Sequence, residues 1–328
     1  MSLTNRSSDI KTESEAKPNS LGRSLHELRS KDKQTKALFA LFIVCIVWGT
    51  TWPASKEGVS HMPALEMAGI RQLISGTLFL MFFFLKGAVF PKRKELIPLT
   101  ILAMLNFVLS NGLSTWGLSY ISAGLASIIS AIFPLWLVVI SLIFGGQKIA
   151  WKAVAGLLIG FTGVCVIFYE YLPDFINPKF RFGIFLSITA TLTWALGSLY
   201  TKQQAARFNP YFGLGFQMII AGITLFSCST ADSQFLAIDQ IPWKSWLSIG
   251  YLVVFGSIIT FTAYVYTLQH LSAEQASIYA YVNPVVALLL SAFILDEKIT
   301  PLIIAGGLIA LYGVYLVNKT MKKTKPSL

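Results

Sequence analysis

Along this chain, long apolar stretches alternate with short polar connections. Stretches of roughly 18 to 22 apolar residues, the length that crosses about 30 Å of hydrocarbon as helix, fall at 37–55, 63–85, 96–117, 120–143, 150–169, 182–201, 211–228, 246–267, 274–295 and 300–317. They predict ten transmembrane helices. The ten-residue alternation with turn signals that marks a transmembrane barrel is absent, and the connections leave no room for a soluble domain. Three predicted helices carry a proline where the pattern is otherwise regular: Pro53, Pro134 and Pro284.

Two of those prolines belong to a repeat. Residues 120–167 laid on 270–317 without a gap share 15 identities, among them Ser122 with Ser272, Pro134 with Pro284, Lys148 with Lys298, Gly156 with Gly306 and Gly163 with Gly313. A second match sets Trp48-Gly-Thr-Thr-Trp-Pro-Ala-Ser-Lys56 on Trp194-Ala-Leu-Gly-Ser-Leu-Tyr-Thr-Lys202. Each half thus holds five predicted helices. Because five is odd, halves that follow each other through the bilayer are inserted in opposite directions, an architecture common in secondary transporters with a substrate site near the midplane between the halves. The expected fold is an all-α membrane protein with ten transmembrane helices as two inverted five-helix repeats, 37–169 and 182–317. A disordered cytoplasmic tail over 1–36 and a basic cytoplasmic tail over 318–328 flank them. Within the first tail, Ser24 and Glu27 have capping-box spacing and Leu21, Leu25 and Leu28 share a helical face, so a short helix on the inner leaflet is the alternative.

Composition agrees with the pattern: 55% of residues are hydrophobic, 12% are charged, and mean hydropathy is +0.65, well outside soluble globular usage. A net charge of +11 raises the question of nucleic acid, but 20 of the 26 Lys and Arg residues fall in the termini and alternate connections. That is the positive-inside bias, which places both termini in the cytoplasm and makes the bilayer, with no nucleic acid, the implied partner. Cys45, Cys165 and Cys228 sit in apolar stretches without paired spacing and read as packing residues. No small-residue cleavage site follows a short apolar core, so a removed signal peptide is not expected.

Each proline leaves a carbonyl without its helical donor: Gly49 for Pro53, Ser130 for Pro134, Ala280 for Pro284. Groups freed at membrane depth are tolerated where protein, hydroxyls or cavity water satisfy them, so the first, fourth and ninth predicted helices are expected to line a cavity. The run of Trp48-Gly49 to Lys56, Trp116-Gly-Leu-Ser-Tyr-Ile-Ser-Ala-Gly-Leu-Ala-Ser to Pro134, and Ala276-Ser through Pro284 to Asp296-Glu297-Lys298 and Gly306 resembles the EamA-type transporters of the drug/metabolite transporter superfamily. The resemblance covers about 37–317. It implies ten helices, cytoplasmic termini, a central cavity built from helices 1, 3, 4, 6, 8 and 9, and export of amino acids, related metabolites or drugs. One departure is Gln147 where the family often has Glu. The pair Asp296-Glu297, followed by a helix start at Thr300-Pro301, reads as a solvated loop.

On that lining the expected substrate contacts are Trp48, Trp52, Asn106, Asn111, Trp116, Ser130, Pro134, Trp194, Tyr264, Tyr279, Asn283 and Pro284. Rings with polar tips and a few amides suit a small amphipathic molecule, neutral or zwitterionic. Lys56, Glu66 and Arg71 are candidate charge partners. Arg71 lies about 12 Å into its helix at 1.5 Å per residue, within reach of Glu66 or a substrate carboxylate. Gly156–Gly160 and Gly306–Ala310 are small-xxx-small packing faces. No phosphate-binding loop is present, and no cofactor, metal or catalytic residue is expected. The chain reads as a transporter of the bacterial inner membrane by alternating access. Two other classes compete with this reading: an intramembrane lipid-modifying enzyme, which would need acid or histidine pairs at membrane depth that the chain lacks, and a sensor or scaffold acting through its tail. Substrate identity, direction, proton coupling and the tail's role stay open at this level, as does oligomeric state, with which a monomer is compatible.

Overall fold

The computed structural model describes residues 20–144, 151–204, 209–231, 235–271, 276 and 279–321. Among these there are helices and no strands. In chain order the helices are α1 (Ser20–Val59), α2 (Ala64–Leu85), α3 (Arg93–Gly117), α4 (Ala123–Ser130), α5 (Phe133–Phe144) and α6 (Trp151–Glu170). They continue as α7 (Pro178–Gln204), α8 (Pro210–Ser229), α9 (Trp243–His270), α10 (Tyr279–Ile294) and α11 (Pro301–Met321). By length and composition six of these can cross a membrane: α1 from Asp32, α2, α3, α7, α8 and α9. Four shorter apolar helical stretches, Ala123–Leu137, Val154–Glu170, Val282–Ile294 and Pro301–Gly313, accompany them. The chain is an all-α integral membrane protein.

Local chemistry sets the ends. Asn209 caps α8 by accepting from Tyr211 N at 3.0 Å and Phe212 N at 3.3 Å, with Pro210 at the first helical position, where a missing N–H costs nothing. Ser122 caps α4 through Leu125 N at 3.1 Å, and Thr300 caps α11 through Ile303 N at 3.3 Å. After α2 the chain reverses at Gly87, whose φ of 80° lies in the left-handed region that glycine enters without steric cost.

Three features depart from the hydropathy reading. First, α1 begins at Ser20, so the chain is helical over 20–36, the alternative to a disordered tail. Second, the expected fourth helix is two helices. Pro134 has no N–H to give, and Ala131 N and Ile132 N close tight turns onto Ile128 O and Ile129 O instead, which ends α4 before α5 starts. Pro284, its repeat mate, stays inside α10. Third, α3 and α9 each carry a π-helical segment, Ala103–Gly112 and Leu252–Ile259. Gln147, Lys148, Ser272 and Glu274 lie outside the described residues.

Packing follows the small-residue faces. A Cβ on Gly163 in α6 would strike Gly306 O and the backbone of Ala310 in α11, and one on Gly313 would strike Gly156 O and the backbone of Gly160. Contacts that run in opposite order along the two helices make the pair antiparallel. Similarly, a Cβ on Gly76 in α2 would meet Gly215 O and Ile219, and one on Gly222 in α8 would meet Leu73. In lipid there is no hydrophobic gain from burying one apolar helix on another, so close backbone approach of this kind carries the association through dispersion. Around these pairs α1 packs on α9 and α10, α7 on α3, α4 and α5, α3 on α8, and α2 on α9. A cavity remains at the centre.

Candidate functional site

The central cavity encloses about 900 Å³ of empty space, its mouth included. From α1 it takes Trp48, Thr51, Trp52 and Ser55, spacings that put all four on one helical face. From α7 it takes Ser187, Ala190, Thr191 and Trp194 with the same spacing. The remaining walls are Arg71 of α2, Asn106, Ser110, Asn111, Ser114 and Thr115 of α3, Leu118 just after it, Ala126 and Ser130 of α4, Phe261 of α9, and Tyr279 and Asn283 of α10.

At its floor the two repeat-matched tryptophans meet. Trp48 and Trp194 stand edge to face with centroids 5.8 Å apart. Phe261 at 5.3 Å, Tyr279 at 5.2 Å and Tyr264 at 4.9 Å complete a cluster about the Trp48 ring. Polar tips lock it: Trp194 Nε1 donates to the Tyr279 hydroxyl at 2.9 Å, and Trp48 Nε1 donates to Gly256 O at 3.3 Å. The Asn283 amide, oriented to satisfy both carbonyls, donates to Cys45 O at 2.7 Å and Tyr279 O at 3.2 Å, tying α10 to α1. Beyond this cluster lies a second, narrower cavity, about 530 Å³ of empty space with its mouth included, lined in part by Ser198 and Thr201 of α7, Tyr264, Val265 and Leu268 of α9 and Gln217 of α8. Asn106, Trp194 and Phe261 border both. The aromatic cluster is therefore a partition between two cavities.

The π segments place polar groups on this site. A π turn shifts the ladder by one residue, which frees backbone groups and re-aims side chains, and such turns are frequent at functional sites. In α9 the segment offers Gly256 O to Trp48 and the Ser257 hydroxyl to Arg71 Nε at 3.1 Å. In α3 it carries Asn106 and Asn111, and Gln72 Nε2 of α2 donates to Asn111 Oδ1 at 3.0 Å. Hydropathy does not register these segments, because a π turn adds no polar residue and breaks no apolar run.

Several expected site residues lie elsewhere. Trp116 packs edge to face on Phe182, 5.1 Å away, off the lining. Pro134 and Pro284 are buried beside the lining residues and do not border the cavity. Tyr264 stands behind Trp48 and faces the second cavity. Glu66 does not pair with Arg71: its carboxylate accepts Leu236 N at 3.1 Å and fixes the connection before α9, one turn and more along α2 from the guanidinium. Lys56 donates to Leu118 O at 2.6 Å and Ile121 O at 2.9 Å, satisfying carbonyls after α3 that have no helical partner.

Glu297 departs from the solvated-loop expectation. Its two oxygens accept Ala123 N at 2.7 Å and Gly124 N at 3.0 Å, a carboxylate on the N-terminus of α4, where the helix dipole favours negative charge. Asp296 beside it is exposed with a φ of 53°, which turns the chain so that Glu297 points inward. Burial pushes the phenol of Tyr171, which pairs with the Ser122 hydroxyl, above its ordinary range. These groups border a third cavity with Lys56. Among the described residues no three His, Cys, Asp or Glu side chains converge as a metal site would require.

Comparison with known proteins adds to this geometry. The model of the EamA-like transporter family matches twice, over residues 35–169 and 181–319. The uncharacterized inner membrane transporter YedA of Escherichia coli (strain K12) is 32% identical over 273 residues, covering 82% of this chain and 86% of that protein. A probable terminal-alkyne amino-acid exporter of Streptantibioticus cattleyicolor is 23% identical over 287 residues, covering 88% of this chain and 95% of that protein. One solved crystal structure superposes with a TM-score of 0.63 at 16% identity, covering 89% of this chain and 99% of that one; at that identity the likeness concerns the fold alone.

Proposed function

Since this chain belongs to the EamA-like transporter family, we propose that it is a secondary transporter of the bacterial inner membrane that exports a small amphipathic metabolite, an amino acid, a related compound or a drug, by alternating access. The observation that carries the reading is the aromatic partition: one cavity on each side of a cluster built from the repeat mates Trp48 and Trp194. Alternating access needs a site that one barrier closes on one side at a time. Here the larger cavity runs from the partition toward Ser55 and Leu118, and the smaller one toward Thr201 and Leu268.

An internal twofold supports the mechanism. Matching α1 with α7, α2 with α8, α3 with α9, α4 and α5 with α10, and α6 with α11, the most extensive contacts between different helices have partner contacts. The α1–α10 pair answers α7 with α4 and α5, α3–α7 answers α9–α1, and α3–α8 answers α9–α2. Contacts between Gly163 and Ala310 and between Gly313 and Gly160 exchange in the same way, as an isologous interface requires. We take the fold as ten membrane-crossing helices in two inverted repeats, α4 with α5 counting as one. With both termini cytoplasmic, the partition closes the cytoplasmic side and the larger cavity faces outward. Export is the direction suggested by the relative named as an exporter.

The test compares metabolites inside and outside cells overproducing this protein with cells making equal amounts of a Trp48→Ala, Trp194→Ala double variant. A compound released by the parent and not by the variant is expected, and it names the substrate. Purified protein that moves none of a broad amino-acid and drug panel in liposomes, with no metabolite changed in cells, would overturn the transport reading.

A further inference from the structure

We propose that Arg71 is the anchor for a carboxylate in the central cavity, so that the occupant is a small amphipathic molecule with one carboxylate and an apolar body. A guanidinium at membrane depth is costly to insert, and buried charges are ordinarily paired. Arg71 is only 4% exposed, yet its single hydrogen bond to the described residues is the neutral one from Nε to Ser257 Oγ, 3.1 Å. Among the described residues neither terminal nitrogen has an acceptor, and Arg71 borders the cavity.

The surroundings supply no counter-charge. The lining contains no Asp or Glu among the described residues, and Glu66, the acid nearest along α2, is engaged at Leu236 N. Two free guanidinium nitrogens form the planar fork that a carboxylate fits with two parallel bonds. Among the described residues Arg71 is also the only Lys or Arg of the lining, which suits a single negative charge better than a phosphate. The apolar body has a defined place. Ser257 holds Arg71 while the preceding Gly256 holds the Trp48 indole, so one π segment sets the cation beside the rings of the partition. A carboxylate on Arg71 leaves the rest of its molecule against Trp48, Phe261 and Tyr279.

The proposal rests on the central cavity being the transporter's substrate site. Its test reads binding without transport: isothermal titration of the purified full chain in detergent with acid and amide pairs, phenylacetate with phenylacetamide, octanoate with octanamide, and phenylalanine with phenylalaninamide. The acid of at least one pair is expected to bind tenfold or more tightly than its amide. Arg71→Gln should bring acid and amide within about twofold while leaving amide binding unchanged, and Arg71→Lys should keep part of the preference. Should Arg71→Gln fail to fold, Ser257→Ala, which keeps the charge and removes its tether, should weaken acid binding severalfold and spare the amide. Equal binding of acid and amide by the parent, a preference that survives Arg71→Gln, or no binding of any pair overturns the proposal. Acid preference without export in cells or liposomes would sink the transport reading alone, and export of a substrate without acid preference would sink this one alone.

Discussion

Glu297 and Ser122 meet at one helix end although 174 positions separate Glu297 from the amide it accepts. Ser122 was legible as a repeat-matched residue at the start of an apolar run, the ordinary place of a cap. Glu297 was not, because a carboxylate reaching another helix's N-terminus leaves no trace in its own neighbourhood; its local context, beside Asp296 and before Thr300-Pro301, is that of a loop. The same limit applies to Glu66, whose partner Leu236 is distant in sequence. Trp48 and Trp194 stand out in the sequence for the opposite reason, since the repeat lays one on the other, whereas Tyr279 and Asn283 stand out only as a ring and an amide beside Pro284 in an apolar run. For the cap the expectation is quantitative. Ser122→Ala and Glu297→Ala should each lower stability by about 1 kcal/mol, and the double variant by less than their sum because both serve one helix end. Unfolding of the three variants in mixed detergent micelles measures this, and a neutral Glu297→Ala would show that solvent replaces the carboxylate.

At the scale of elements, hydropathy located the ten apolar stretches but not their internal irregularities. The proline at 134 signals a break and the proline at 284 does not, although both stand in matched sequence. The difference lies in the tight turns at Ala131 and Ile132, which the alignment does not carry. The paired π segments of α3 and α9 were invisible, being a change of winding within an unbroken apolar run, and they supply Asn111, Gly256 and Ser257 to the site. The glycine faces were readable from spacing alone, and they yield a contrast within one helix. Gly306 and its neighbour Gly307 look alike in sequence, but a Cβ at 306 would strike Ile167 and Gly163 O while one at 307 meets nothing within 4 Å. Gly306→Leu is therefore expected to cost about 1 to 3 kcal/mol by overpacking, and Gly307→Leu to be near neutral, in the same micellar unfolding measurement. Equal effects would mean that α6 and α11 do not touch through this face.

For the whole molecule, the two cavities and the proposed orientation make a prediction about sidedness. In a chain whose native cysteines are replaced by serine, Ser114→Cys in the larger cavity should react with a membrane-impermeant thiol reagent added outside, and Thr201→Cys in the smaller one only with reagent reaching the cytoplasmic side. Removing the Trp48 and Trp194 rings should make each position reactive from both sides. Reaction of Thr201→Cys from outside in the parent would place the barrier elsewhere. The all-α class was legible because membrane helices announce themselves by length; the path between the cavities was not, since it depends on which faces of helices distant in sequence meet. That meeting has a consequence for synthesis. The closest backbone approaches of α2 and α6 among the described residues are to α8 and α11, so the half made first leaves the ribosome with those glycine grooves filled by lipid. Assembly then waits for the last helix: a chain stopped before Pro301 would be inserted but unfinished, open to quality-control proteases along the groove that α11 was to close.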